Sequence, residues 1–197
     1  MNTRPLPINL FYSYAKEDEE LRIQLEKHLY SLKREGIISD WHFRKLTGGD
    51  EWRKKIDGHL DTSNIILLLI SSDFVGSHYC YDIEMTRAME LHKSRKARVI
   101  PVILRAVDWH NLPFSELQAL PTGGKPVKLW PDLDEAFLDI AKGVRQACRD
   151  LRKPRTAHTP VSSVGHNTSS PSQTRTKKVY CARCGAAPGT RTVCTGL

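Results

Sequence analysis

No run of apolar residues in this 197-residue chain approaches the ~20 that span a bilayer, so no membrane partner is expected. The opening residues Met1-Asn2-Thr3-Arg4-Pro5 lead into a short apolar stretch without a signal-peptide cleavage pattern, and a cytoplasmic location is expected. Internal repeats are absent. Gly48-Gly49 lacks the further glycines of a dinucleotide fingerprint and by itself reads as a turn. The eight histidines show no ligand spacing, which assigns them no metal. Acidic residues are missing from Arg152 onward, where eight of the 30 Lys/Arg lie. The other 22 basic residues balance all 22 acidic ones, so the net charge of +8 belongs to the tail. A neutral body argues against nucleic acid as its partner, and the tail adds only weak, salt-sensitive attraction to polyanions.

What the chain does have is a core: 40% of its residues are hydrophobic, and they alternate in pattern along the first three quarters. Ile65-Ile66-Leu67-Leu68-Leu69-Ile70 is too short for a lone amphipathic helix and reads as a strand buried on both faces. Ser71-Ser72 ends it and a helix follows, which carries Glu84 one turn beyond Cys80 and so on the same face. A ligand crevice belongs just past the carboxyl end of such a strand. Around this centre, strands are expected at Ile8 to Tyr12, Ile37 to Phe43, Arg98 to Leu104 and Pro126 to Leu129. Helices are expected at Lys16 to Arg34, with Leu21, Leu25, Leu29 and Leu32 on one stripe, from near Glu51 with Asp50 as cap, through Glu84 to about Lys93, and from Leu133 to Leu151. Alternation of this kind predicts an α/β domain, a five-stranded parallel sheet with helices on both faces, over residues 6–151.

From 152 to 178 the chain is rich in Ser, Thr, Pro, Asn and Arg and nearly devoid of aliphatic residues, the composition of a disordered basic linker. Residues 179–197 form a Cys-rich, partial zinc-ribbon-like segment: Cys181 and Cys184 make a Cys-x-x-Cys-Gly knuckle, and Cys194 follows. Three thiolates suit a structural zinc, yet a closed site needs four ligands. His158, His166 or a partner chain could complete it, the sequence could stop inside a ribbon, or the knuckle could be a relic. The segment could equally recruit a protein partner. Cys80 and Cys148 read as buried thiols of a reducing compartment.

Four motifs in order carry a resemblance: Tyr12-Ser13-Tyr14-Ala15; Trp41-His42-Phe43-Arg44-Lys45-Leu46 with Gly49 and Trp52; Leu69-Ile70-Ser71-Ser72-Asp73-Phe74 with Ser77, Tyr79, Cys80 and Glu84; and Arg98-Val99-Ile100-Pro101-Val102-Ile103-Leu104. Together they make the body similar to bacterial Toll/interleukin-1 receptor (TIR) domains. The resemblance implies a flavodoxin-like fold and, as in many bacterial members, cleavage of the nicotinamide-ribosyl bond of NAD+ upon self-assembly, commonly as a toxic effector of anti-phage defence. It maps the catalytic glutamate onto Glu84, places Tyr14, Phe43, Arg44, Ser71, Ser72 and Cys80 around the substrate, and makes Leu46, Gly48, Gly49 and Trp52 part of a gating and assembly loop. NAD+ is then the substrate and no cofactor is required. Phe43 stands where many relatives carry an acidic residue, so any ribose contact made by that carboxylate is absent.

The chemistry is sound on general grounds. Cleaving this bond develops oxocarbenium character at the anomeric carbon, which an anionic carboxylate stabilises, while the pyridinium makes nicotinamide a good leaving group. The motif places no anionic group but Glu84 beside the ribose. Tyr14, Trp41 or Phe43 could stack on the rings, and Ser71, Ser72 and helix N-terminal amides could receive phosphates. The rival expectation is a non-catalytic TIR adaptor acting through TIR–TIR contacts, since one fold hosts both. A base-exchanging nucleosidase is a third, without a purine-clamping motif.

Overall fold

A computed structural model describes residues 5–41 and 52–153, with side chains for all of these but positions 41 and 52–55. The chain divides into two units, Met1–Arg155 and Thr156–Leu197, and everything described belongs to the first.

Four parallel strands form the sheet in the order β2-β1-β3-β4: β1 is Ile8–Tyr14, β2 Ile38–Trp41, β3 Ile65–Ile70 and β4 Arg98–Ile103. β3 is central and every one of its six residues is 0% exposed, as a strand covered on both faces must be. The register pairs Tyr12 with Leu67 and Leu67 with Ile100, which aligns the carboxyl ends of β1, β3 and β4.

Helices α1 (Glu19–His28), α2 (Tyr30–Arg34) and α6 (Leu133–Arg152) are joined to one face by Leu21, Leu25, Leu29, Leu32, Phe137, Ile140 and Val144. The other face is covered by α3 (Trp52–Thr62) and α5 (Thr86–Lys93) through Ile56, Leu60, Ala88 and Leu91. A short α4 (Ser72–Gly76) caps the end of β3.

Three expectations need correction. The sheet has four strands, because Val127–Leu129 is a 3₁₀ turn that reaches β4 through Lys128 N–H to the Leu104 carbonyl, at 3.1 Å. Pro126 has no N–H to offer a ladder, and Leu120 takes the place beside β4 as an isolated bridge to Val102. The expected single helix from Lys16 to Arg34 is a 3₁₀ turn (Lys16–Asp18), then α1, a break at Leu29, and α2; its four-leucine stripe is nonetheless buried. Gly36 ends α2 with a φ of 66°. The segment carrying Glu84 is a π-helix, His78–Met85, which runs into α5. Its wider i→i+5 turns bury Cys80, Glu84 and Met85 together, and such turns are frequent at functional sites.

The roles expected of His42, Phe43, Arg44, Leu46, Gly48, Gly49 and Asp50, of the side chains of Trp41 and Trp52, and of Cys181, Cys184 and Cys194 with His158 and His166 fall outside the described residues.

Candidate functional site

A cavity of about 790 Å³ opens at the carboxyl ends of β1 and β3, where an α/β sheet ordinarily binds its ligand. Its walls come from the turn after β1 (Ala15, Lys16, Glu17), from α4 (Ser72, Asp73, Gly76), from the π-helix (Tyr79, Cys80, Glu84) and from Ile56 of α3.

Glu84 is 5% exposed, and among the described residues its carboxylate is met by a hydroxyl and by no cation. Ser13, the penultimate residue of β1 and 0% exposed, donates its Oγ–H to Glu84 Oε2 at 2.5 Å. Burial pushes the Glu84 carboxyl up to about 7, the Ser13 hydrogen bond pulls the other way, and the charge of Asp57 adds to the rise. A buried acid held near neutrality in a crevice is the kind of group that catalysis uses.

The other expected site residues divide. Cys80 lines the wall, its Sγ–H directed to the Tyr14 carbonyl at 3.4 Å, and burial pushes its thiol up to about 11, so it is a wall and no nucleophile. Ser72 is exposed on the cavity. Ser71 is not: its Oγ is 0% exposed, accepts from Phe74 N–H at 3.1 Å as the N-cap of α4, and donates to Asp18. Tyr14 borders the cavity, but it is 3% exposed, packs in the α1 and α6 layer and donates its hydroxyl to Glu19, with the Arg22 guanidinium 5.5 Å from its ring.

Lys16, Glu17, Asp73 and Ser13 were not singled out from the sequence as site residues, and Glu84 has two further carboxylates around the same cavity. A signal for Ser13 was present. Alternation along β1 places it on the face of Phe11 and Ala15, opposite Tyr12 and Tyr14, so it is the one hydroxyl on the row Asn9, Phe11, Ser13, Ala15 facing the Glu84 side.

Ser13→Ala is expected to leave the carboxylate without its donor and so raise the Glu84 pKa further. Any activity that needs ionised Glu84 then has its acidic limb, near pH 7 in the wild type, shifted upward, with recovery at high pH. A pH–rate profile checks this; equal limbs in the two proteins would show that the hydroxyl does not tune the acid.

Residues 10–137 match the family described as TIR domain. The chain belongs to the TIR domain family. A curated relative, an uncharacterized protein y4lF of Sinorhizobium fredii (strain NBRC 101917 / NGR234), is 55% identical over 152 residues, covering 77% of this chain. The chain spans about half the length of that relative, 46%. The TIR domain of the Toll-related receptor TRR-2 from Hydra magnipapillata shares the fold, with a TM-score of 0.52 at 20% identity over 71% of this chain and 97% of that one. The TIR domains of the activated Roq1 resistosome, which recognises the pathogen effector XopQ, align at a TM-score of 0.43 and 20% identity over 52% of this chain and 61% of theirs, too distant to carry an argument.

Proposed function

We propose that this TIR domain is an NAD+ glycohydrolase activated by self-assembly, serving as an immune effector of the anti-phage kind. The observation that carries the reading is Glu84: a carboxylate buried without a cation among the described residues, on the wall of a cavity large enough for a dinucleotide. Burying such a group is costly, and membership of a family with NAD-cleaving members supplies a use for it.

In this reading the bond from ribose C1′ to the nicotinamide nitrogen breaks and its electron pair neutralises the pyridinium. Ionised Glu84 stabilises the oxocarbenium charge, water adds to C1′, and Glu84, with a pKa near 7, accepts the proton that water loses. If the ligand's own adenine nitrogen attacks instead, the product is cyclic. Among the described residues lining the cavity, Lys16 would meet the pyrophosphate as a cation and Ser72 would offer it a hydroxyl.

The test is nicotinamide release from NAD+ followed by chromatography as protein concentration rises. Specific activity is expected to climb with concentration or with a crowding agent, because the assembled state is the competent one. A rate strictly proportional to enzyme concentration, with monomers alone seen by light scattering, sinks the assembly step. Absence of release from demonstrated assemblies sinks the activity and leaves a TIR scaffold.

A further inference from the structure

A second cavity, about 870 Å³, lies at the amino ends of the strands, across the sheet from Glu84. Four separate parts of the chain build it: the entry to β1 (Leu6 to Asn9), Asn64 ahead of β3, the stretch from the end of α5 into β4, and the end of α6. Its lining holds five Lys/Arg, namely Lys93, Arg95, Lys96, Arg98 and Arg152, against one carboxylate, Asp150. That carboxylate is already met by Lys153 at 3.1 Å and by Arg98 at 3.6 Å.

Ordinary helix chemistry accounts for part of this. Cations in the last turn of α5 offset the helix dipole, which explains Lys93. It accounts equally for Arg152, which lies in the last turn of α6 and donates to the Ile37 carbonyl at 3.1 Å, but not for Arg95, Lys96 and Arg98, which follow α5. Arg95 is the telling one. It terminates α5 at a φ of 58°, in the left-handed region where glycine costs least, and where α2 does use Gly36. Holding an arginine there costs stability that a glycine would not, and its exposed side chain stands on the cavity rim.

We propose that this basic groove binds the phosphate backbone of nucleic acid. The equal numbers of basic and acidic residues ahead of Arg152 argued against such a partner, but the fold gathers five cations around Asp150 at one end and leaves Glu17, Asp73 and Glu84 with Lys16 at the other. Three of the five cations are arginines, whose planar forks pair phosphate oxygens two at a time. Five cations are more than a single phosphate needs. It is also concave, which suits a strand lying in it better than a flat lipid surface lying against it. The sequence after Arg152 holds seven more Lys/Arg and no acidic residue.

The experiment uses the full chain and fluorescence anisotropy with a labelled mixed-sequence DNA duplex over a series of salt concentrations. Wild-type protein is expected to bind at low salt with a steep loss of affinity as salt rises. The combined variant Lys93→Ala, Arg95→Ala, Lys96→Ala is expected to bind at least ~10-fold more weakly at low salt, with the slope of log K against log salt reduced by about 2.7, or ~0.9 for each phosphate contact removed. Circular dichroism melting establishes that the variant is folded, and NAD+ turnover, where present, is expected to be unchanged because none of these residues borders the Glu84 cavity. Four results would overturn the proposal: no binding at low salt; equal affinity and slope in wild type and variant, which assigns binding to the tail; competition by inorganic tripolyphosphate as effective as by duplex at matched charge, which makes the groove a small-anion site; or binding of polyglutamate or acidic vesicles in preference to the duplex.

Discussion

Glu84→Gln is expected to lower nicotinamide release by about 10²–10³-fold or more, the usual scale for removing a group that stabilises transition-state charge and moves a proton, while leaving fold and assembly intact. Gln keeps the shape and still accepts from Ser13, so only the charge is lost. The same substitution makes a second, independent claim on stability. A carboxyl at about 7 in the folded protein and near 4.5 when free costs nothing below pH 4.5, where both states are protonated. As pH rises from 4.5 to 7 the unfolded chain gives up its proton and the folded one retains it, so stability falls, and above pH 7 the whole penalty remains. At about 1.4 kcal/mol per tenfold, the penalty is up to ~3 kcal/mol. Gln does not titrate, so the variant is expected to match the wild type near pH 4 and to exceed it at pH 8 in urea unfolding. Turnover within a few-fold of wild type would remove Glu84 from catalysis; parallel stability curves would mean that its carboxyl is not a buried, neutral-leaning acid.

Asp18→Ala is expected to cost about 2–3 kcal/mol, more than its place in a short turn suggests. Asp18 is 1% exposed and joins three strand ends: its carboxylate accepts from Ser71 at the end of β3 and, at 2.8 Å, from Nε of Arg105 just past β4, while the residue itself follows β1. Arg105 also reaches Asp73 on α4. Removing the carboxylate strands a buried hydroxyl and a guanidinium together, and a broken buried pair typically costs ~3–5 kcal/mol; the 32% exposure of Arg105, which water then solvates, places this case at or just below the bottom of that range. Asp73→Ala is the control. Its side chain is 40% exposed, and an exposed pair contributes under ~1 kcal/mol. The measurement is the urea midpoint of both variants, with turnover read at a denaturant-free condition where both are folded. Equal midpoints for Asp18→Ala and Asp73→Ala would refute the bracing role.

Position in the chain made much of this legible. The unbroken aliphatic run at Ile65–Ile70 announced a central strand, and the leucine stripe from Leu21 to Leu32 announced the helix face that covers it, because burial of a continuous or periodic apolar pattern depends on neighbours a few residues away. Glu84 could be placed near the crevice for the same reason: the strand's end and the helix's start are adjacent in sequence. At Pro126 to Leu129 local apolarity suggests a strand, but the missing proline N–H leaves a 3₁₀ turn instead.

By itself, the sequence determined the α/β class, the central strand and the identity of the acid. Only the tertiary structure decided what surrounds that acid. Ser13 and Glu84 are 71 residues apart, Asp18 and Ser71 are 53 apart, and Asp18 and Arg105 are 87 apart. Their meeting follows from strand order and register, which set the ends of β1, β3 and β4 side by side, and no local pattern encodes that alignment. Charge behaves likewise: a count along the chain sums to neutrality ahead of Arg152, whereas folding sets five cations around Asp150 in one cavity and three carboxylates around Lys16 in the other, since electrostatics depends on distance in space and not on distance in sequence.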